Sequence, residues 1–303
     1  MIMPNFLLIG AAKGGTSSMY LYLDRHPEIY MSPIKEPNFF AYEGWQPDYC
    51  GPGDADAPTN QLSVTNLKDY QALFEGVNTE KAIGEASTHY LYTPETPERI
   101  KHYIPDAKLI AILRQPVERA YSFYLHLRRK GREPLSNFLQ ALQEEEKRKT
   151  NHWAPTWRYK EFGFYSVQLQ RYFDRFDRDR IKIYLYEDWQ TKPVEVIQDI
   201  FRFLGVDDTF VPDMSTRYNT TTQIPKNQSL YNLITKQSVI KDVLRSIIPA
   251  KIRQPMAAKV YRKNLEPPKS LAPEIRQQLI PIFKEDILKL QDLIQRDLSH
   301  WLE

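Results

Sequence analysis

Phe6-Leu7-Leu8-Ile9-Gly10-Ala11-Ala12-Lys13-Gly14-Gly15-Thr16-Ser17-Ser18, continued by Met19-Tyr20-Leu21-Tyr22-Leu23, is the stretch on which the fold turns. The apolar run reads as a buried strand, the glycines as a turn, and the apolar residues that follow have helical spacing. Strand, glycine-rich turn and helix in that order form an anion cradle. Backbone N–H groups at the helix start are free to bind, and the helix dipole favours negative charge there. Lys13 adds a mobile cation, and Thr16, Ser17 and Ser18 add hydroxyl donors. The nucleoside-triphosphate pattern G-x-x-x-x-G-K-[ST] can be laid from Gly10 to Gly15, but Thr16 then stands where the lysine belongs. The lysine comes earlier, along the loop. The stretch reads as a phosphate site of a different kind.

Outward from it, strands and helices alternate through the first two-thirds of the chain. Strands are expected at Glu28 to Met31, Lys81 to Ser87, Lys108 to Leu113 and Ile181 to Tyr186. The Lys108 to Leu113 run is continuously apolar after its first residue, as a central parallel strand should be. Helices are expected from Leu67 to Phe74, Pro94 to Tyr103 with Thr93 as cap, and from Pro116 onward. Further helices should run from Leu135 to Lys149 with a solvated charged end, Gly163 to Phe176, and Val194 to Leu204 stopped by Gly205. Residues 42–66, rich in Gly and Pro, read as a long surface loop. Helices from Ser229 to Ile248 and from Pro273 to about Leu298 complete the chain. The class is therefore α/β: a mostly parallel sheet flanked by helices, with a helical C-terminal part. One domain is expected over 1–303, with an α/β core over 1–205 and a mainly helical part over 206–303.

The 303 residues suffice for a sizeable core, and 41 Lys and Arg against 38 Asp and Glu leave a charge of +3. That suits one anionic ligand in a cleft and does not favour a nucleic-acid binder, which needs a concentrated basic face. One cysteine, Cys50, excludes an internal disulfide and fits a reducing compartment. No apolar run approaches the roughly 18 residues that span a bilayer. The first strand begins too early to leave room for a leader. A cytoplasmic protein without a membrane span is the expectation, and the oligomeric state is not legible.

Lys13-Gly14-Gly15-Thr16-Ser17-Ser18 resembles the 5′-phosphosulfate loop of sulfotransferases that use 3′-phosphoadenosine 5′-phosphosulfate (PAPS), most closely the carbohydrate (heparan-sulfate-type) and bacterial branch, which carries K-G-G-T after the first strand. The resemblance implies a P-loop-like fold, PAPS as donor, 3′,5′-adenosine bisphosphate (PAP) as product and no metal. It implies that Lys13 serves catalysis and that Lys13, Gly14, Gly15, Thr16, Ser17 and Ser18 hold the 5′ end of the cofactor. Arg114-Gln115-Pro116-Val117-Glu118-Arg119-Ala120-Tyr121-Ser122 resembles the family's 3′-phosphate motif, R-x-P-x-x-R-x-x-S, with Gln115 where many relatives have Asp. Arg114 leaves the end of a strand, where open α/β sheets bind ligands, and its planar fork suits phosphate. Ser122 lies on a polar helical stripe with Glu118, His126 and Arg129. In relatives the arginine at the Arg119 position often makes structural ion pairs. More weakly, Phe162-Gly163-Phe164-Tyr165-Ser166 resembles a turn whose tyrosine approaches the cofactor, giving Tyr165. The polar loop Asn219 to Asn227 stands where relatives close over the 3′-phosphate, giving Lys226.

For the general base the resemblance offers three residues. Glu36, in Glu36-Pro37-Asn38-Phe39-Phe40, matches E-x-x-[FY]-F of the carbohydrate branch, and the aromatic pair is expected to dry the pocket and raise the carboxyl. Glu85, after the Lys81 to Ser87 strand, resembles an active-site glutamate that orients acceptors. His89 resembles the histidine of the cytosolic branch. Their order is Glu36, Glu85, His89. The acceptor stays open between a carbohydrate and a small hydroxylated metabolite, because Trp45, Tyr49, Trp153 and Trp157 can stack on sugars, line a lipid or polyketide pocket, or simply pack. Two other classes remain. A P-loop kinase or hydrolase would draw on Glu187-Asp188 at a strand end, though it is opposed by Arg114 at the other strand end. A catalytically silent nucleotide-binding protein would keep the cradle and tolerate loss of Glu36.

Overall fold

The computed structural model describes residues 2–214, 223–227, 230–231, 260–261 and 263–303. Five strands, β1 (Phe6–Gly10), β2 (Ile29–Met31), β3 (Ala82–Ala86), β4 (Lys108–Leu113) and β5 (Ile181–Leu185), form one sheet in the order β2-β3-β1-β4-β5. Every pairing is parallel, with Leu7 opposite Glu85 on one side and Leu109 on the other. Side chains of a strand alternate between faces, and here both faces are buried. Leu7 and Ile9 join Leu109, Ala111 and Leu113 in one apolar core, while Phe6 and Leu8 join Ile110 and Ile112 in a second on the opposite face. Continuous apolar runs are what such a sheet requires.

After β1 the chain crosses to β2 at one edge, and after β4 it crosses to β5 at the other. The carboxyl ends of the neighbouring strands β1 and β4 thus flank the crevice where connections diverge, the ligand-binding position of open α/β sheets. Helix Thr16–Leu23 follows β1, and helix Pro116–Arg129 follows β4 with proline in its first turn, where a missing N–H costs nothing. Helix Pro193–Leu204 ends on Gly205 at φ 81°, as expected of a left-handed stop. Helix Pro273–Ile294 packs beside helix Tyr165–Phe173.

Three expectations need correction. The helix placed over 94–103 begins at Thr96; Thr93 instead ends a separate short helix, His89–Tyr92, by donating its N–H to the His89 carbonyl. The helix placed over 135–149 is two, Phe138–Gln143 and Glu145–Thr150, and its charged end is solvated at Glu146, Lys147 and Lys149 but turns two charges inward. Glu145 is buried, accepting from the backbone N–H of Lys160 and Glu161, and buried Arg148 makes a two-pronged pair with Glu133 at 2.8 and 2.9 Å. Charges at those positions are partnered across the chain, which is the condition for burying them. Residues 42–66 do form a connection, but its middle is pinned inward. Fully buried Asp54 accepts from Gly51 N–H at 2.8 Å, Ala154 N–H at 2.9 Å and Trp157 Nε1 at 3.1 Å, and pairs with Arg132. Apart from residues 230 and 231, the helix expected over Ser229 to Ile248 lies outside the described residues, as do Asn219 to Thr222 of the polar loop.

Candidate active site

A cavity of about 890 Å³ opens at the carboxyl ends of β1 and β4. Its floor is the turn after β1. Gly14 has no room for a side chain, since a Cβ would stand 2.2 Å from the Ile112 carbonyl oxygen of β4. Gly15 precedes the helix at φ 100°, a left-handed conformation that glycine adopts without strain. No side chain caps the start of helix Thr16–Leu23, so its first N–H groups stay available to an anion. Lys13, Gly15, Thr16, Ser17 and Ser18 line the cavity, while Gly14 lies beneath the lining.

Lys13 itself takes φ 72°. Of the five described non-glycine residues with positive φ, namely Lys13, Glu36, Asn38, His152 and Gln295, the first three line this cavity. Strained backbone concentrates where a fold has a functional geometry to hold. Burial, followed by the fields of Arg129, Arg114, Lys35 and Arg119, lowers the Lys13 ammonium to about 8. An anionic ligand would restore its proton, so binding of such a ligand is linked to pH. Below about 8 Lys13 is already charged; above it, binding must take up a proton. Affinity for 3′,5′-adenosine bisphosphate is expected to fall as pH rises through 8, by at most about tenfold per unit for a single proton. Calorimetry between pH 6.5 and 9.5 checks this, and a flat profile would remove Lys13 from the anion site.

Across the crevice, Arg114 enters from the end of β4, with its guanidinium 4.7 Å from the centre of the Tyr186 ring and 3.8 Å from Glu118. Tyr165 does not line the cavity. It is wholly buried and donates to the Arg114 carbonyl at 2.9 Å, so it supports the arginine from below. Glu118, Ser122 and His126 all face the cavity, as their helical spacing requires. His126 is lowered to about 3 by burial and then by Lys13, Arg129, Lys130 and Arg132, and is therefore neutral. Arg119 is fully buried and donates to the Tyr159 carbonyl, a structural position. Exposed Lys226 is absent from the lining; its backbone N–H donates to the Asn264 carbonyl at 2.7 Å. The segment Pro268 to Leu271 borders the cavity instead, tied down where Tyr121 donates to the Lys269 carbonyl at 2.9 Å.

Glu36 and His89 both face the cavity; Glu85 does not. The Glu36 carboxylate accepts from Thr88 N–H at 2.7 Å and Thr88 Oγ1 at 3.1 Å, and pairs with Lys35 at 2.6 Å. Burial pushes this carboxyl up, but Lys35, His89 and the Thr88 N–H outweigh it and hold Glu36 below the usual range. The expected rise is thus corrected. Phe39 and Phe40 turn into the core against Tyr70 and do not dry the carboxylate, whereas Lys35 sits directly on it. His89 Nδ1 meets Tyr42 Oη at 2.6 Å, and burial lowers the imidazole. Glu85 is wholly buried behind the wall.

Other side chains of the cavity were not singled out from the sequence. Tyr186 and Trp189 form an aromatic side next to Gly15, and Lys35 joins the cationic set. The available signal was an aromatic pair three apart in a helix directly after a parallel strand, Tyr186–Thr191. Of the aromatics considered for sugar stacking, none lines this cavity. Trp45 and Tyr49 border a separate cleft of about 690 Å³ with Tyr42 and Arg158, and Trp157 is buried against Trp153, ring centres 4.9 Å apart. Glu187 and Asp188, the carboxylates that a kinase reading needs, accept from Trp301 Nε1 at 2.9 Å and Arg296 at 2.7 Å. No helix among the described residues is long and apolar enough to cross a membrane.

The chain is similar to known proteins. A model of the sulfotransferase domain matches residues 3–242. The solved structure of a sulfotransferase from Alicyclobacillus acidocaldarius is 35% identical, with each chain covered in full and a TM-score of 0.78. The chain is 28% identical over 215 residues to bifunctional heparan sulfate N-deacetylase/N-sulfotransferase 4 of Mus musculus, a match spanning 67% of this chain and 22% of the relative. It is 32% identical over 151 residues to membrane-associated sulfotransferase kil1 of Dictyostelium discoideum, covering 48% of this chain and 28% of that one. The match therefore spans about a quarter of the length of these curated relatives.

Proposed function

The chain belongs to the sulfotransferase family, and from that premise we propose that it moves a sulfuryl group from PAPS to an acceptor hydroxyl, with Glu36 as general base. One observation carries the reading: Lys13, Glu36 and the pair Arg114 and Ser122, drawn from three separate segments, line a single cavity above an uncapped helix start. The residues fit the donor. Thr16, Ser17, Ser18 and the helix N–H groups would hold its 5′ end. Arg114 and Ser122 would hold its 3′-phosphate, and Tyr186 and Trp189 offer flat surfaces to its base. When bound, PAPS supplies a sulfuryl group activated by a phosphate leaving group.

The chain's own contribution is placement and charge, which dominate in-line transfers of this kind. Lys13 puts a cation at the 5′ end of the cradle, where negative charge gathers as the leaving group departs. Glu36, held below the usual carboxylate range, is ionised at neutral pH and so is in the form that accepts the acceptor's proton. Thr88 fixes the direction of that carboxylate.

We favour a carbohydrate or small hydroxylated metabolite as acceptor, a reading supported by the similarity to heparan sulfate enzymes. Those relatives are N-sulfotransferases by name, so an amino-sugar nitrogen is the second candidate atom. Calorimetric titration with 3′,5′-adenosine bisphosphate beside magnesium-ATP tests the donor. Tight binding of the bisphosphate alone is the expected result. Preference for magnesium-ATP would overturn the reading in favour of a kinase or hydrolase.

A further inference from the structure

Residues 86–88 grip residues 36–38 at four points. Glu36 N–H donates to the Ala86 carbonyl at 2.9 Å, Asn38 N–H donates to Ser87 Oγ at 3.0 Å, and Thr88 donates to the Glu36 carboxylate through both N–H and Oγ1. The gripped turn is strained. Glu36 and Asn38 flank Pro37 with φ 65° and 56°, conformations that non-glycine residues hold only when their surroundings impose them. Something must therefore fix the grip itself.

Glu85 stands directly beneath it. Its Oε2 accepts the Ser87 hydroxyl proton at 2.9 Å, and its Oε1 accepts from Tyr70 at 3.3 Å. A serine hydroxyl has one proton and two acceptor sites. With that proton committed to Glu85, Ser87 Oγ presents a lone pair to Asn38 N–H. The relay Glu85, Ser87, Asn38 thus ends at the turn that carries Glu36. Glu85 is wholly buried and does not face the cavity, so it touches neither donor nor acceptor.

We propose that Glu85 is a positioning residue for transfer: a buried carboxylate that orients Ser87, locks the left-handed turn at residues 36–38 and thereby aims Glu36. This rests on the reading of Glu36 as base.

The proposal has a pH signature. Burial raises the Glu85 carboxyl to about 7, opposed by hydrogen bonds from Tyr90, Ser87 and Tyr70 and assisted by the charge of Glu36. The groups facing it are Tyr70, Tyr90, Ser87, Tyr172 and Glu36, and burial raises the three tyrosines well above their usual range, so they stay neutral. Below pH 7 Glu85 is neutral and its hold on Ser87 weakens; above pH 7 it is an anion. The anion makes a stronger, charge-assisted hydrogen bond. It also makes Glu36 a better base, since a second negative charge nearby favours the protonated form of the first.

The test is kcat against pH at saturating PAPS, where bound anion keeps Lys13 charged, for wild type, Glu85→Gln and Glu36→Gln. Wild type should show a severalfold rise centred near pH 7. Glu85→Gln should lose that rise and fall about 10- to 100-fold in kcat at pH 8, the scale of a small misplacement of a reacting group. Its acceptor KM and bisphosphate affinity should stay unchanged. A rise near pH 7 that persists in Glu85→Gln overturns the proposal. If Glu36→Gln is inactive in the same series, the base reading survives that failure; if Glu36→Gln is fully active, the base reading has failed. Should Glu85→Gln not fold, Ser87→Ala decides. It cuts the relay but keeps the carboxyl, and wild-type kcat in that variant overturns the proposal.

Discussion

Lys13→Ala is expected to lower kcat on the order of 10²–10³-fold, the effect of removing one preorganised group that stabilises developing charge. The substitution introduces no new backbone strain, because the φ of 72° at this position is already borne by a residue with a Cβ. It removes a cation that the fold keeps at some cost, since burial and four neighbouring cations already lower it to about 8. Bisphosphate affinity should fall too, and its decline above pH 8 should vanish, because the same proton is responsible for both. The loss in kcat should exceed the loss in binding, since negative charge on the leaving phosphate is greatest in the transition state. Single-turnover rates beside calorimetry separate the two. A variant with wild-type kcat would take Lys13 out of the chemistry.

Glu36→Gln is expected to cost on the order of 10²–10⁴-fold in kcat, the range for a positioned general base. The amide keeps the size of the carboxylate and can still accept from Thr88, so the turn should survive. It cannot accept the acceptor's proton, and it forfeits the pair with Lys35. Bisphosphate affinity should remain at the wild-type value, because Glu36 lies outside the cradle proposed to receive the phosphates. Unchanged sulfation would transfer the role of base to another group, with His89, the other candidate facing the cavity, the first to examine.

The part of this cavity proposed to take the donor is legible in the sequence because it depends on local order. A strand, a glycine turn and a helix must follow one another, and β4 occupies Lys108–Leu113 as its apolar run requires. Arg114 and Ser122 inherit their places from the end of that strand and the pitch of the next helix. What escaped depends on distant partners. Nothing near Glu145 or Arg148 reveals that the Lys160 and Glu161 amides and the Glu133 carboxylate will cover them. The aromatic pair Phe39-Phe40 suggested a dry carboxylate, but the left-handed turn at Asn38 sends both rings into the core and leaves Glu36 to Lys35. Tyr186 and Trp189 reach the cavity only because β5 lies beside β4, a pairing fixed by the sheet as a whole.

Asp54 has a consequence for how such a molecule can change. The donor cradle is built on strand ends, where any shift propagates through two cores. Ala57, Pro58 and Thr59 of the facing wall instead hang from one buried carboxylate, pegged by Gly51, Ala154, Trp157 and Arg132. While the peg holds, residues 55–59 can be exchanged without disturbing the cradle, whereas Val64 further on donates its N–H to the Pro37 carbonyl at 2.8 Å and so belongs to the turn that carries Glu36. A graft confined to residues 55–59 is the natural place to redesign what enters the cavity, with the cradle and the turn at residues 36–38 left as inherited.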